Sequence, residues 1–592
     1  MDNQRNLLLA VALSGLLILG WDVAMRQFYP EASISAPTDE VEPAAGTSAA
    51  GAPGTSVVAA DLPEGTAPAT GPVDLTATLA DPQRVVIDAP RVAGSINLVG
   101  ARIDDIVLKD HRQTIDDDSG PVRLFAPERT PDQYFAEFGF LANAERLTPD
   151  TVWTADEEKL TPDSPVTLTH TDANGLTYAI TFSIDENYMI AASQTVSNTS
   201  ENAAVIQPFS LINRTSANAS ADEFIVHSGP VGVFGGTIDE DYAYDDLDEV
   251  SKYTPDGAAS WIGFTDRYWL SALVPGEGGT ETSFRSLGNE IYRTDVIYDA
   301  VTLPAGQSIS KTTRLFAGAK ESALLDNYAE TGIDDFGLAI SWGWFWFIEK
   351  PLLALLKILF DFVGNFGVAI ILLTVIIRGL LFPIAQKQFG SMAAMKAVQP
   401  KMKAIQDRYK DDKQKQQQEI MKLYKDEKVN PLAGCLPLLI QIPIFFALYK
   451  VLILAIEMRH KPLVDFWIQD LSAPDPWTIL NLFGLLPFEV SGFLGIGVLA
   501  VLLGVTMWLT FKLNPSAMDP MQQQIFNFMP WILMFVMAPF AAGLLLYWVT
   551  SNILTLAQQS YLYSKHPQLR AAAEKEKADK AREATKEEQS KA

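Results

Sequence analysis

Apolar and polar positions divide the chain into two unlike parts. From about Leu75 to Ala329, short stretches alternate with period two, among them VTLTHT, LTYAITFSI, MIAASQTVSN and TSFRSL. β-Branched residues in alternation, broken by Asn174-Gly175 and Asp256-Gly257, predict antiparallel strands and a large all-β sandwich over 75–330. Further on, continuous apolar runs take over. They predict helical spans at about 362–384, 432–455, 492–511, 525–538 and 543–563 within a core of 352–565, since roughly 20 apolar residues cross the hydrocarbon of a bilayer. One more run, Leu7–Trp21, lies within 1–29; no small-residue cleavage site follows it, so an uncleaved signal anchor is expected. The pattern therefore predicts a polytopic α-helical membrane protein of six spans, with an all-β domain between the first and second.

The joining segments have their own signatures. Residues 30–74 are rich in Ala, Pro, Gly, Ser and Thr, as in a flexible tether. Residues 331–351 hold Trp342, Trp344, Phe345, Trp346 and Phe347, an aromatic density suited to the headgroup level, and predict an interfacial amphipathic helix. Lys350, Pro351, Lys357 and Asp361 disfavour its merging with the next span into one over-long helix. In 386–430 the seam Met395, Val398, Met402, Ile405 and Tyr409 repeats at 3-4-3-4 spacing. It breaks at Asp411-Asp412 and resumes with Ile420, Leu423 and Tyr424, predicting an antiparallel helical hairpin. Gly492, Gly495 and Gly497 suit close helix packing in the fourth span, and 566–592 is a charged tail.

Charge sets the orientation. The net charge of −26 averages an acidic part, Glu31 to Ile340, with 49 acidic and 17 basic residues, and a remainder with 22 acidic and 28 basic. An acidic domain without clustered Lys and Arg excludes nucleic acid as its partner. The hairpin holds eleven Lys and Arg, so the positive-inside rule puts it and both termini in the cytoplasm and the β domain outside. Cys435 is the single cysteine, which excludes an intrachain disulfide framework and a CxxC pair. No GxxxxGK[ST] occurs, and His111, His170 and His227 are scattered, so neither a nucleotide or other cofactor nor an enzymatic site is expected. The cluster Asp239–Glu249 is open to two readings, a Ca²⁺ loop or a solvated turn.

One residue breaks the apolar pattern. Arg378 lies inside FVGNFGVAIILLTVIIRGLLFPI, where a cation costs about 2.5–3.5 kcal/mol at the centre of a span. Thr374 shares its helix face at i, i+4. Arg378 either lines a wet, protein-walled space or snorkels to headgroups past Pro383, about 7.5 Å along the helix. A transporter would require several midplane charges and two related halves, and the sequence offers one such charge and no repeat. A sugar-binding β module anchored by the spans is the other alternative.

Several long segments, in order, resemble the Oxa/Alb/YidC family of insertases: MDNQRNLLL, TVIIRGLLFPI, KVNPLAGCLPLLIQIPIFFALY, WIQDLSAPDP, DPMQQQIFNFMP and GLLLYWVTSN. The resemblance implies a non-catalytic membrane-protein insertase and chaperone of the inner membrane, acting as a monomer. Its fold would be a five-helix insertase core with a periplasmic β-supersandwich. Arg378, Thr374, Gln441 and Ser551 match groove positions. Ile442, Phe445, Met529, Met534, Tyr547 and Trp548 would form an apolar slide, and Lys401, Lys403 and Arg408 cytoplasmic contacts. Implied partners are nascent inner-membrane proteins, the lipid bilayer, the Sec translocon with its accessory subunits, the ribosome and the signal-recognition-particle pathway. The chain departs from the family pattern in three places. Tyr547-Trp548 replaces a Tyr-Tyr pair, Phe540-Ala541-Ala542-Gly543 stands where Pro-Ser-Gly is usual, and LFGLLPFEVSGFLGIG lengthens the loop before the fourth span.

Overall fold

The computed structural model describes residues 73–565 apart from 117, 221–225, 411, 428–435, 487, 489, 491–493 and 514–519. The expected signal anchor, tether and tail (to residue 72 and from 566) lie outside the described residues.

Alternation becomes a sandwich in the first part. Along Leu176–Ile184 every second side chain, Leu176, Tyr178, Ile180, Phe182 and Ile184, is buried, while Thr177, Ala179 and Thr181 between them are half-buried. Strands of this kind assemble into a twelve-stranded and a nine-stranded sheet among the described residues. Their inner faces meet through aromatic pairs such as Phe138–Phe182, 5.6 Å apart, and Phe140–Tyr178, 5.1 Å apart. Asn174-Gly175 makes the turn between Val166–Thr171 and Leu176–Ile184, with Gly175 at φ 84° and Asp172 Oδ1 accepting the amides of Asn174 and Leu176. A short helix α1 (Leu75–Leu79) precedes the sheets. The acidic cluster folds into α2 (Tyr244–Val250) and its flanks, where Asp239 accepts from Tyr253 and Asp248 from Tyr292. Among the described residues no group of three His, Cys, Asp or Glu converges on a metal position. Helix α3 (Ser322–Glu330) closes the domain.

The helical part departs from the expected boundaries. Residues 331–351, expected as one interfacial helix, are not one helix: two 3-10 turns (Phe336–Ala339, Gly343–Phe345) lead into α4 (Trp346–Val363). The span expected from 362 starts later, in α5 (Phe366–Arg408). The reason is local. Gly364 adopts φ 70° at the end of α4, and Asn365 Oδ1 caps α5 by accepting from the Val368 amide at 3.0 Å. Nor does a separate element begin at 386, because α5 runs unbroken for 43 residues through Pro383 and Pro400. AQKQ after Pro383 offers neither a capping residue nor a glycine stop, and its residues favour helix.

The return arm of the hairpin is α6 (Lys413–Asp426), followed by α7 (Leu436–Leu454), α8 (Val498–Leu513), α9 (Pro520–Met537) and α10 (Ala542–Lys565). The fourth span was expected from 492, yet Gly495 and Gly497 precede α8 and belong to the loop. A Cβ on Gly497 would sit 2.6 Å from the Asp475 side chain, so glycine there permits a close approach of two loops rather than of two helices. Among the described residues Phe366–Gln386 is long and apolar enough to cross a membrane; Gln441–Leu454, Val498–Lys512 and Asn527–Met537 are shorter apolar helical stretches.

Two cations join the two parts, and a third, Lys450, ties α7 to the segment that leads into α4. Arg459 donates to the carbonyls of Arg112 and Gln113 at 2.8 and 3.0 Å and lies over the Trp269 ring. Arg267 donates to the carbonyl of Ile453 at 3.2 Å, and Lys450 to that of Ser341 at 2.7 Å.

Candidate functional site

Arg378 projects from α5 toward α10. Its Nε donates to Ser551 Oγ at 2.9 Å, and a second guanidinium nitrogen reaches the same oxygen. Ser551 is buried while Arg378 is only half-buried. One turn earlier on α10, Tyr547 accepts from Gln441 Nε2 of α7 at 2.8 Å. Polar side chains thus tie α5, α7 and α10 together, each such bond contributing roughly 0.6–2 kcal/mol between helices in lipid. A guanidinium has five N–H donors, and no carboxylate among the described residues forms an ion pair with this one. It is a cation with donor capacity to spare.

The other sequence-predicted groove position ends elsewhere. Thr374 shares the helix face of Arg378 but is fully buried, and its hydroxyl donates back to the Ile370 carbonyl at 2.7 Å. Its polarity is spent inside the packed bundle.

Of the apolar positions, Ile442 is exposed on α7. Phe445 meets Trp548 at 4.9 Å between ring centres, and the aromatic row continues through Tyr449 to Phe540. Trp548 thus contributes a ring to this row. On α9, Met534 turns inward: its Cβ is 3.4 Å from where a side chain on Gly504 of α8 would begin. Met529 is half-buried. The outward face of α9 is instead Phe528, Trp531, Ile532, Phe535 and Val536, all exposed. These residues are not in the expected slide set, although their 3-1-3-1 spacing is the signal of one helix face.

At the far end of α5, Lys401 pairs with Glu427 at 2.6 Å, and the Tyr424 hydroxyl reaches the Met402 sulfur at 3.2 Å. These contacts hold the two arms of the hairpin together. Lys403 and Arg408 are exposed, the latter over the Tyr409 ring.

A β-sandwich fixed to a bundle of apolar helices that carries a half-buried arginine defines a membrane protein with a large extramembrane domain. Residues 84–355 match the family model described as YidC periplasmic domain, and 358–570 the model described as 60Kd inner membrane protein. The chain is 42% identical to the membrane protein insertase YidC of Beijerinckia indica subsp. indica, over 95% of this chain and 96% of that one. It is 43% identical to the same protein of Rhizobium etli, over 96% of each. A crystal structure of an active YidC insertase is similar at 19% identity and TM-score 0.34, covering 81% of this chain and 92% of that one. The chain belongs to the YidC family of membrane protein insertases. It is accordingly an inner-membrane protein with a periplasmic β-sandwich domain, an insertase rather than an enzyme, whose substrates are nascent membrane proteins and whose medium is the bilayer.

Proposed function

We propose that α5, α7 and α10 wall a hydrophilic groove, open to the cytoplasm and to lipid, in which Arg378 receives acidic residues of the segment a substrate sends outward. Gln441 and Ser551 line it and Thr374 braces it from behind. The observation that carries this reading is the Arg378–Ser551 contact, which holds the guanidinium in place while leaving donors unused. A charge pair 4 Å apart at an effective dielectric near 20 is worth about 4 kcal/mol, and groove water lowers that further. This suits capture followed by release. The substrate's apolar helix then leaves sideways along Ile442, Phe445, Trp548 and the outward face of α9, driven by about 25 cal/mol per Å² of apolar surface leaving water. The membrane potential adds about 2.3 kcal/mol per charge per 100 mV for acidic segments.

In this scheme the chain has six spans with both termini in the cytoplasm: the run in 1–29, then α5, α7, α8, α9 and α10. Helix α4 lies along the periplasmic interface, with Trp346 and Phe347 exposed on it. Lys401, Lys403 and Arg408 meet the ribosome or signal-recognition-particle pathway, and the protein works alone or beside the Sec translocon. A photocrosslinker at position 441, which lines the groove and leaves Arg378 in place, present during insertion of a short acidic-tailed substrate, tests the groove. Adducts are expected at residues next to the acidic tail; normal insertion without such adducts would refute it.

A further inference from the structure

The loop between Trp477 and α8 is turned inside out for a segment in water. Ile479, Leu480, Leu482, Phe483, Leu485 and Leu486 are exposed or nearly so, Leu485 at 81%, and no charged residue occurs from Pro476 to Phe488. Its polar side chains point the other way. Thr478 and Asn481 are buried. Asn481 Oδ1 accepts from the amides of Thr478 and Gly484 at 3.0 and 2.9 Å, and its Nδ2 donates to the Pro476 carbonyl at 3.0 Å.

The backbone is closed on itself as well. The Ile479 amide donates to Ile496, Phe483 to Thr478 and Leu486 to Asn481, at 3.0, 2.9 and 3.0 Å. Leu482 and Leu485 donate to Ile479 and Leu482, and the Asn481 amide to the Thr478 hydroxyl. Between Thr478 and Leu486 every amide but that of Leu480 has a partner within the chain. A loop in water has no need of this. In hydrocarbon an unmet backbone group costs several kcal/mol. Leu482 and Phe483 hold φ of 51° and 59°, a left-handed conformation that residues with a Cβ rarely adopt. The turn they make sends their side chains outward while the amides close inward.

Position identifies what covers this face. The loop is bound to the start of α8 through Ile479–Ile496 and the Thr478–Gly497 bridge, and Leu502, Val505 and Leu509 continue the exposed apolar surface down that helix. It stands at the end of the bundle that carries the periplasmic domain, since Arg267 of that domain donates to the carbonyl of nearby Ser472. Helix α8 has 16 described residues, and in the sequence Lys512, Asn514 and Pro515 end its apolar run. At 1.5 Å per residue it is about 24 Å long, short of a hydrocarbon core about 30 Å thick.

We infer that residues 478–486 form a wedge seated among the acyl chains of the periplasmic leaflet, supplying the apolar thickness that α8 lacks. Without it the bilayer would have to thin around α8 to match its apolar length.

The test uses the full-length protein with Cys435→Ser and Leu485→Cys, labelled with an environment-sensitive fluorophore. The protein is reconstituted alone in phosphatidylethanolamine–phosphatidylglycerol vesicles containing acyl-chain nitroxide lipid. Leu502→Cys on α8 is the lipid-facing control and Asp163→Cys, exposed on the β domain, the aqueous one. Quenching of 485 by the nitroxide should equal that of 502 and exceed that of 163 several-fold, with iodide giving the reverse order. Leu480→Cys repeats the measurement should Leu485→Cys fail to fold. Iodide quenching of the loop in these vesicles overturns the wedge. So does shielding seen only in native membranes, which would mean that a protein partner covers the loop. Either result leaves the Arg378 groove standing.

Discussion

Arg378 and Ser551 are joined across two helices by a 2.9 Å hydrogen bond, and the serine is buried where the arginine is not. One hydroxyl therefore fixes the direction of the guanidinium without neutralising it. Arg378→Ala is expected to slow insertion of an acidic-tailed single-span substrate by at least roughly tenfold, about 1.4 kcal/mol of barrier, and to spare a neutral-tailed one. Arg378→Lys keeps most of the activity and Arg378→Glu does worst on acidic tails. Equal losses on both tails would remove the electrostatic role.

Asp475 is the hub of the loop before α8. Its carboxylate accepts from Trp467 Nε1 at 2.8 Å, the Trp477 amide at 3.0 Å and the Leu499 amide at the start of α8 at 2.8 Å. Asp475→Ala leaves one buried and two half-buried donors unpaired and is expected to cost about 3 kcal/mol, at 1–3 kcal/mol for each unsatisfied group. Asp475→Asn should fall between Ala and wild type. Thermal unfolding in detergent measures both, and an unchanged Tm for the alanine variant would contradict the hub.

Glu349 supplies a pH dependence. It is buried on α4 with Oε2 unpartnered among the described residues, and burial pushes its carboxyl up to about 7 although Lys450 lies near. Because the folded value is raised, the stability this group contributes is complete below about 4.3, the ordinary glutamate value, and is lost as pH rises through about 7. Purified protein should accordingly melt at lower temperature at pH 8 than at pH 6, and Glu349→Gln should flatten that difference. An identical slope in the variant would assign it to other groups.

The two parts are held by cations reading carbonyls, which gives a local prediction. Arg459→Ala removes two charge-assisted hydrogen bonds, each worth about 1.5–3 kcal/mol, and the stacking on Trp269. Amide exchange at residues 110–114 should accelerate on the order of tenfold or more by that arithmetic, while the inner strands keep their protection. Uniform acceleration through the sandwich would mean that Arg459 supports the domain fold instead.

How much was legible follows from how local each signal is. LTYAITFSI gave its strand outright, because alternation over nine residues has one solution with a buried face. Asn174-Gly175 gave its turn for the same reason. Asp256-Gly257 did not mark a simple hairpin: Lys252–Tyr253 before it pairs with Phe284–Arg285 in one sheet, whereas Ala259–Thr265 after it joins the other. No local pattern encodes that choice of sheet. The break between α4 and α5 is written in Gly364-Asn365, but the apolar run continues through it and hides it from a hydropathy pattern. In the groove, spacing put Thr374 beside Arg378. Burial then separated them, since depth within a bundle depends on neighbours far away in sequence.

The unbroken α5 has a mechanical consequence. Lys401 and Arg378 ride on one rod, 23 residues and roughly 34 Å apart at 1.5 Å per residue. A load that tilts the hairpin arm is delivered as torque to the guanidinium end, with Pro383 and Pro400, where the ladder lacks an N–H, as its compliant joints.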